Sequence, residues 1–510
     1  MGMMLMPGFS STQASLMDAV LFAFDNSYAR LPERFYARLA PTPVSDAHLV
    51  RVNTELARHL CLEPDQLTSP VGVDIFAGNR IPAGAEPLAM AYAGFQFGGW
   101  VPQLGDGRAI LLGEVIDRHG GRRDIQLKGC GRTPYSRAGD GRAGLGPVLR
   151  EYLVSEAMAA LGISTTRSLA AVTTGELIQR ESLLPGAVLT RVAQSHVRVG
   201  TFQFFSARQD IAALRALSNY VIVRHYPQVL ESEQPCLALF DAVIGVQAEL
   251  LAKWQLVGFI HGVMNTDNTS VAGETIDYGP CAFMDTYHPE TVYSAIDQLG
   301  RYAYGNQPAT AHWNLAGLGQ ALLPLLDEKH ETALEKAQAA VNTFPVRFAA
   351  AYDAGARSKL GLEQARVEDA ALMRDLLQCM ADNHADFTLT FRRLCELGGT
   401  TSAADGPVRS LFDDPVAFDG WAVRWRERLA GEAQQEHQRQ AAMRMVNPAF
   451  IPRNHLVEEA IQAAMADDDL GPFDALTRVL ASPYLDQPDC ERCQAPPRPE
   501  QVVHQTFCGT

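Results

Sequence analysis

A chain of 510 residues exceeds what one hydrophobic core fills, and its 47% apolar content excludes wholesale disorder, so a large catalytic unit with accessory helices is expected. A formal net charge of −15 and a pI near 5.4 exclude the extended basic face that nucleic-acid phosphates require, and leave room for a local cationic cleft holding one nucleotide. The opening MGMMLMPGFS lacks a cationic run before an apolar stretch, no apolar run approaches membrane-spanning length, and nine scattered cysteines suit a reducing compartment. The expectation is a soluble, cytoplasmic protein with neither nucleic-acid nor membrane partners.

In chain order, apolar positions from Ser45 to about Leu60 recur at helical spacing, and Pro and Gly break the chain through Gly84. Residues 1–90 are therefore expected to form an N-terminal extension. The Gly-rich stretch Gly94 to Gly107 leads into a predicted strand, Ala109 to Val115; Gly120-Gly121 turns it into a second, Asp124 to Lys128. Pro147 to Leu161 predicts a helix with Pro in its first turn. Thus a glycine loop, a strand, a strand bearing Lys and a helix bearing Glu follow one another. Beyond Pro235 the patterning is helical, interrupted by an irregular polar segment from His261 to Tyr287 and by a break near Gly398 to Gly406. The Cys- and Pro-rich end from Asp486 is expected to be a mobile tail. No internal repeat is present.

Gln103-Leu104-Gly105-Asp106-Gly107-Arg108 turns tightly enough to bring backbone N–H groups to phosphate, although the same residues also make a plain turn. Alternation along the second strand sends Ile125 and Leu127 one way, Gln126 and Lys128 the other. Glu151 shares a helix stripe with Val148, Val154 and Met158, so it faces packed surface unless a cation meets it. A Lys128–Glu151 pair resolves that conflict and fixes the lysine against phosphates; the alternative is a solvated lysine and a rim glutamate. Arg191 and Arg198 are spaced to aim at one anion, and the loop from Gly131 to Arg142, including Asp140 and Gly141, offers another phosphate-facing turn. Surface arginines and a solvated loop are the alternatives. Asp267 and Asn268, followed by Asp277-Tyr278-Gly279, supply hard oxygen ligands of the kind Mg²⁺ prefers, with Asn/Asp turn chemistry as the alternative. Cys490 and Cys493 lack the second pair that a zinc site needs.

Together, Phe97 to Arg108, Leu127 to Arg142, Arg150-Glu151-Tyr152, His261 to Asn268, Asp277-Tyr278-Gly279-Pro280, Asn447-Pro448 and Arg453 to Leu456 resemble the selenoprotein O family of protein adenylyltransferases. The resemblance implies an α+β, protein-kinase-like bilobed fold: a first lobe at 91–226, a second at 227–350, a helical extension at 351–485 and a tail at 486–510. It implies that Gly105, Gly107, Arg108, Lys128, Asp140, Gly141, Arg191, Arg198 and Asp277 bind ATP, with Glu151 supporting Lys128. Asn268 and Asp277 would hold Mg²⁺ or Mn²⁺, and Asp267 would take the proton. In this family the nucleotide lies reversed relative to kinases, so AMP moves to Ser, Thr or Tyr hydroxyls of proteins, the chain itself included; the sequence does not decide whether UMP replaces AMP, and a kinase-type phosphotransferase and an inactive nucleotide-binding scaffold are the alternatives. Phe95 stands where the family pattern has His, and Gly146-Pro147-Val148 where it is more polar. Cys508 matches the position of selenocysteine in some relatives, and a reversible disulfide with Cys281 is expected, with an unreactive tail thiol or local pairing with Cys490 or Cys493 as the alternatives.

Overall fold

The computed structural model of the chain describes residues 21–400 and 405–507. Its order of elements is α+β, with most strands before residue 194 and mostly helices after it. The main sheet is antiparallel and runs β1 (Tyr36–Arg38), β3 (Leu88–Met90), β6 (Ala109–Ile116), β7 (Arg122–Lys128), β10 (Leu183–Ala193), β9 (Arg167–Gln179) and β2 (His48–Val52), with β8 (Ala143–Gly144) pairing on β10. Strands β1, β2 and β3 all come from before residue 91, so the stretch expected as an extension builds both edges of this sheet. A separate hairpin is made by β4 (Gly94–Gln96) and β5 (Gly99–Val101), and a two-stranded ribbon by β11 (Phe259–Ile260) and β12 (Ala282–Phe283).

The expected hairpin of strands β6 and β7 forms as read, closed by residues 117–121. The helical reading of Ser45 to Leu60 needs correction. His48–Val52 is a strand on β9, and the helix α1 (Thr54–His59) starts only where the Asn53 side chain caps the Leu56 amide. Leu49, Val50 and Val52 suit an edge strand as well as a helix stripe, and pairing with β9 decides between them.

Helix α2 (Leu145–Ala160) carries Pro147 in its first turn, where a missing N–H costs nothing. One side of it meets Ala171 and Leu189 of the sheet; the other meets Ile461, Ala464 and Phe473 from two C-terminal helices, one of them Asn454–Ala466. It is thereby held from both sides. Helix α3 (Val199–Ser206) leads into the helical half, centred on α4 (Pro235–Val257) and α5 (Gln307–Leu326). By length and composition α4 could cross a membrane, which the sequence reading did not anticipate. Leu239, Phe240, Val243 and Ile244 of α4 lie in the main hydrophobic core. A second core gathers Trp421 and Trp425 with α6 (Phe344–Leu360) and α7 (Phe387–Leu394).

The tail expected to be mobile is docked as far as it is described. Gln494 O accepts from Arg453, and Thr506 bridges to Ser294 and donates its hydroxyl to Pro280 O at 2.7 Å.

Candidate active site

Strands β7 and β10 pair so that Arg191 stands opposite Gln126 and Leu189 opposite Lys128. Ile125 and Leu127 point into a core with Phe76 and Val188, which leaves Gln126, Lys128 and Arg191 on the face beneath α2. Glu151 projects onto that face and is buried to 2% exposure. It accepts Lys128 Nζ at 2.6 Å and Arg191 Nε and Nη2 at 2.8 and 2.5 Å. Unpaired, a carboxylate there would cost several kcal/mol. Burial opposes its ionisation, but Arg191 and Lys128 outweigh burial and hold Glu151 below its ordinary range.

The same cations converge on Asp277. Its Oδ1 accepts Lys128 Nζ at 3.1 Å and Arg191 Nη2 at 2.5 Å, and its Oδ2 accepts Arg198 Nη1 at 2.9 Å. Burial is again the opposing influence, and Arg191, Lys128 and Arg198 together hold the Asp277 carboxyl well below the usual range. Its side chain is still 22% exposed, so the hub of the cluster opens to a ligand. Asp277 adopts a left-handed φ of 62°, strained for a residue other than glycine. Gly279 N bonds to its carbonyl at 2.8 Å, and His261 Nε2 donates to Ile276 O at 2.8 Å while Nδ1 accepts Val263 N, which defines a neutral ring.

Asp267 sits in the turn that follows β11, tied to this cluster by Arg198 Nη1, which also donates to the Asp267 carbonyl at 2.8 Å. Burial pushes the Asp267 carboxyl up to about 6, against Gln96 and Arg198. That is a value at which a carboxylate can exchange protons near neutrality. Asn268 Nδ2 donates to Val263 O at 2.9 Å, which orients the amide and leaves Oδ1 as its lone-pair donor.

Gly105 takes φ 87°, and a Cβ there would meet the Tyr135 ring at 2.4 Å; at Gly107 it would meet Tyr135 O at 2.9 Å. The loop carrying Tyr135 thus closes onto the glycine turn, and glycine is required for that approach. Arg108 follows on the rim and is half-buried, while Gly141 closes the Tyr135 loop by accepting Gly131 N at 3.0 Å. Asp140, in the loop before β8, pairs with Arg180, just past the end of β9, at 2.8 Å, outside the Lys128–Asp277 cluster.

Several residues here were not singled out from sequence. Asp106 is buried, accepts Met90 N and Gln126 Nε2, and lies 3.7 Å from Arg198; burial pushes its carboxyl up despite Arg198. Tyr92 lies beneath the Arg198 guanidinium at 4.6 Å, and Gln96 bonds Asp267. Only Gln126 carried a readable cue, sharing the Lys128 face of β7. Cys508 lies outside the described residues. Thr506, two residues earlier, contacts Pro280, the neighbour of Cys281.

Three cations thus surround two firmly ionised carboxylates, beside a third carboxylate of raised proton affinity. A family model described as "Protein adenylyltransferase SelO" matches residues 19–481. A "Protein nucleotidyltransferase YdiU" of Rhodopseudomonas palustris (strain BisB18) is 62% identical over 492 residues, covering 96% of this chain and 100% of the relative. Proteins of the same name are 62% identical in Bradyrhizobium diazoefficiens and 60% identical in Bradyrhizobium sp. (strain ORS 278), each over 491 residues, 96% of this chain and 100% of the relative. The chain belongs to the SelO family of protein nucleotidyltransferases.

Proposed function

We propose that the chain transfers AMP from ATP to Ser, Thr or Tyr hydroxyls of proteins and releases pyrophosphate. The observation that carries this reading is the convergence of Lys128, Arg191 and Arg198 on Asp277, with Arg198 also gripping the Asp267 backbone. One set of cations therefore registers the phosphate chain against the base. Support for a kinase-like arrangement comes from the Lys128–Glu151 pair between a strand and a helix, preceded by a glycine turn.

Asp267 accepts the proton of the acceptor hydroxyl as its oxygen attacks the α-phosphorus. Lys128, Arg191 and Arg198 neutralise charge on the departing pyrophosphate. The glycine turn and the loop of Asp140 and Gly141 flank the nucleotide, with Arg108 at the rim. Asp277, kept ionised and partly exposed, and Asn268, its Oδ1 unengaged among the described residues, fit a divalent cation such as Mg²⁺ or Mn²⁺. When bound, that ion adds positive charge beside the phosphates. Metal binding requires the Lys128, Arg191 and Arg198 contacts on Asp277 to loosen in favour of the nucleotide's phosphates.

Intact-mass analysis of acceptor protein after incubation with ATP and Mg²⁺ tests the reading. Addition of an adenylyl group is expected; addition of a phosphoryl group alone would assign a kinase reaction instead.

A further inference from the structure

The hairpin of β4 and β5 lies across the catalytic turn although about 170 residues separate them in sequence. Phe95 N donates to Thr266 Oγ1 at 2.8 Å, and Phe97 N to Asn265 Oδ1 at 3.1 Å and Tyr302 OH at 3.2 Å. Its two turn residues, Phe97 and Gly98, have φ of 50° and 82°, the pattern of a tight hairpin that twists with its strands. A phenylalanine pays for the left-handed conformation at Phe97, and the two amide bonds together with its ring against Tyr302, centroids 5.0 Å apart, hold it there. Phe95 is fixed likewise, between Trp100 at 4.9 Å and Trp313 at 5.2 Å. The hairpin is a rigid support.

What it supports is the Asp267 carboxylate. Oδ1 is fully buried and has no hydrogen-bond partner among the described residues. A Cβ on Gly94 would come within 2.5 Å of it, so only glycine lets strand β4 lie against that oxygen. Oδ2 accepts Gln96 Nε2 at 3.2 Å. Gln96 is only half-buried, so the Oδ2 side of the carboxylate is the one nearer the open cleft. A carboxylate oxygen keeps further acceptor capacity after one such bond.

We propose that Gln96 is a positioning residue for the transfer step: it holds Oδ2 of Asp267 as the atom that receives the acceptor proton, while Gly94 walls off Oδ1. The inference rests on the adenylyl-transfer reading. In the step, the acceptor O–H bond breaks and its proton passes to Oδ2. The O–Pα bond forms, and the bond from Pα to the bridging oxygen breaks, its electrons leaving with pyrophosphate. Without Gln96 the carboxylate is free to turn about its Cβ–Cγ bond, and the acceptor meets a base of variable direction. A misplacement of about 1 Å in such a contact costs on the order of 100-fold in rate.

The test uses the full chain, ATP labelled at the α-phosphate, and casein as added acceptor, with label scored on both casein and the chain itself. Wild-type incorporation checks the underlying reading; if wild type incorporates nothing, that reading fails and takes this inference with it. Given wild-type transfer, Gln96→Leu is expected to lower kcat about 10- to 100-fold, with KM for ATP and the Kd of a fluorescent ATP analogue within about twofold of wild type. Gln96→His, which keeps an N–H donor, should recover a substantial part of the loss. Transfer by Gln96→Leu within about twofold of wild type would overturn the proposal, as would a loss that appears equally in ATP affinity or that Gln96→His does not relieve.

Discussion

Lys359, on α6, is 3% exposed and has no salt-bridge partner among the described residues. Its Nζ lies 4.2 Å from the ring centroid of Phe391 and 5.7 Å from that of Phe387. Burial pushes its ammonium down from 10.5 to about 7, against the opposing influence of Cys395. Each tenfold change in proton affinity is worth about 1.4 kcal/mol, so this fall corresponds to about 5 kcal/mol of destabilisation when the lysine is protonated. The sign follows from which state binds the proton. Between pH 7 and 10.5 the unfolded chain holds it and the folded chain does not, so stability rises with pH at up to about 1.4 kcal/mol per pH unit. Below pH 7 both states are protonated and the cost is fully present. Lys359→Met keeps the length of the side chain and removes the charge. Urea unfolding followed by tryptophan fluorescence reads the effect locally, because Trp425 Nε1 donates to Leu360 O at 2.9 Å. The variant should be several kcal/mol more stable than wild type at pH 7, and the gap should narrow steadily toward pH 10. Parallel pH profiles, or a variant less stable at pH 7, would refute the reasoning.

Asp277→Ala should abolish transfer and weaken Mg²⁺-dependent nucleotide binding, whereas Asp267→Ala should lower transfer by at least about 100-fold and leave more of that binding intact; equal loss of binding in both, read by titration of a fluorescent nucleotide, would remove the division between ligand and base. Since Thr506 docks on Pro280 beside Cys281, Cys508→Ser is expected to blunt any difference in activity between oxidised and reduced protein. An unchanged redox response, with peptide mapping that places no bond between Cys281 and Cys508, would dismiss the tail switch.

Legibility in the sequence followed the range of the interactions. Alternation in β7 put Lys128 on a face free to line a cleft and the stripe on α2 turned Glu151 toward packed surface; the 2.6 Å contact that resolves the solvated alternative is set by how α2 packs on the sheet. Arg191 and Arg198 were read as aiming at one anion; that anion is the carboxylate of Asp277, which sequence spacing cannot reveal. Gln96 stayed unnoticed because its partner lies 171 residues away, and a glutamine in a Gly-rich stretch carries no periodic cue. Asp106 looked like part of a glycine turn, whereas its side chain folds back to Met90 and Gln126. The edge strands failed for a related reason: three to five residues are too few to show a period, and pairing with β3 or β9 decides their state. Tail composition likewise suggested freedom, but the bonds that dock it come from residues 453, 293 and 280, far outside any local window.

Parallel incubations with ATP labelled at the α- or the γ-phosphate, in Mg²⁺, decide whether Lys128, Arg191 and Arg198 hold a departing pyrophosphate while adenylate moves. Protein-bound α-label without γ-label is predicted; γ-label on protein without α-label would contradict that role.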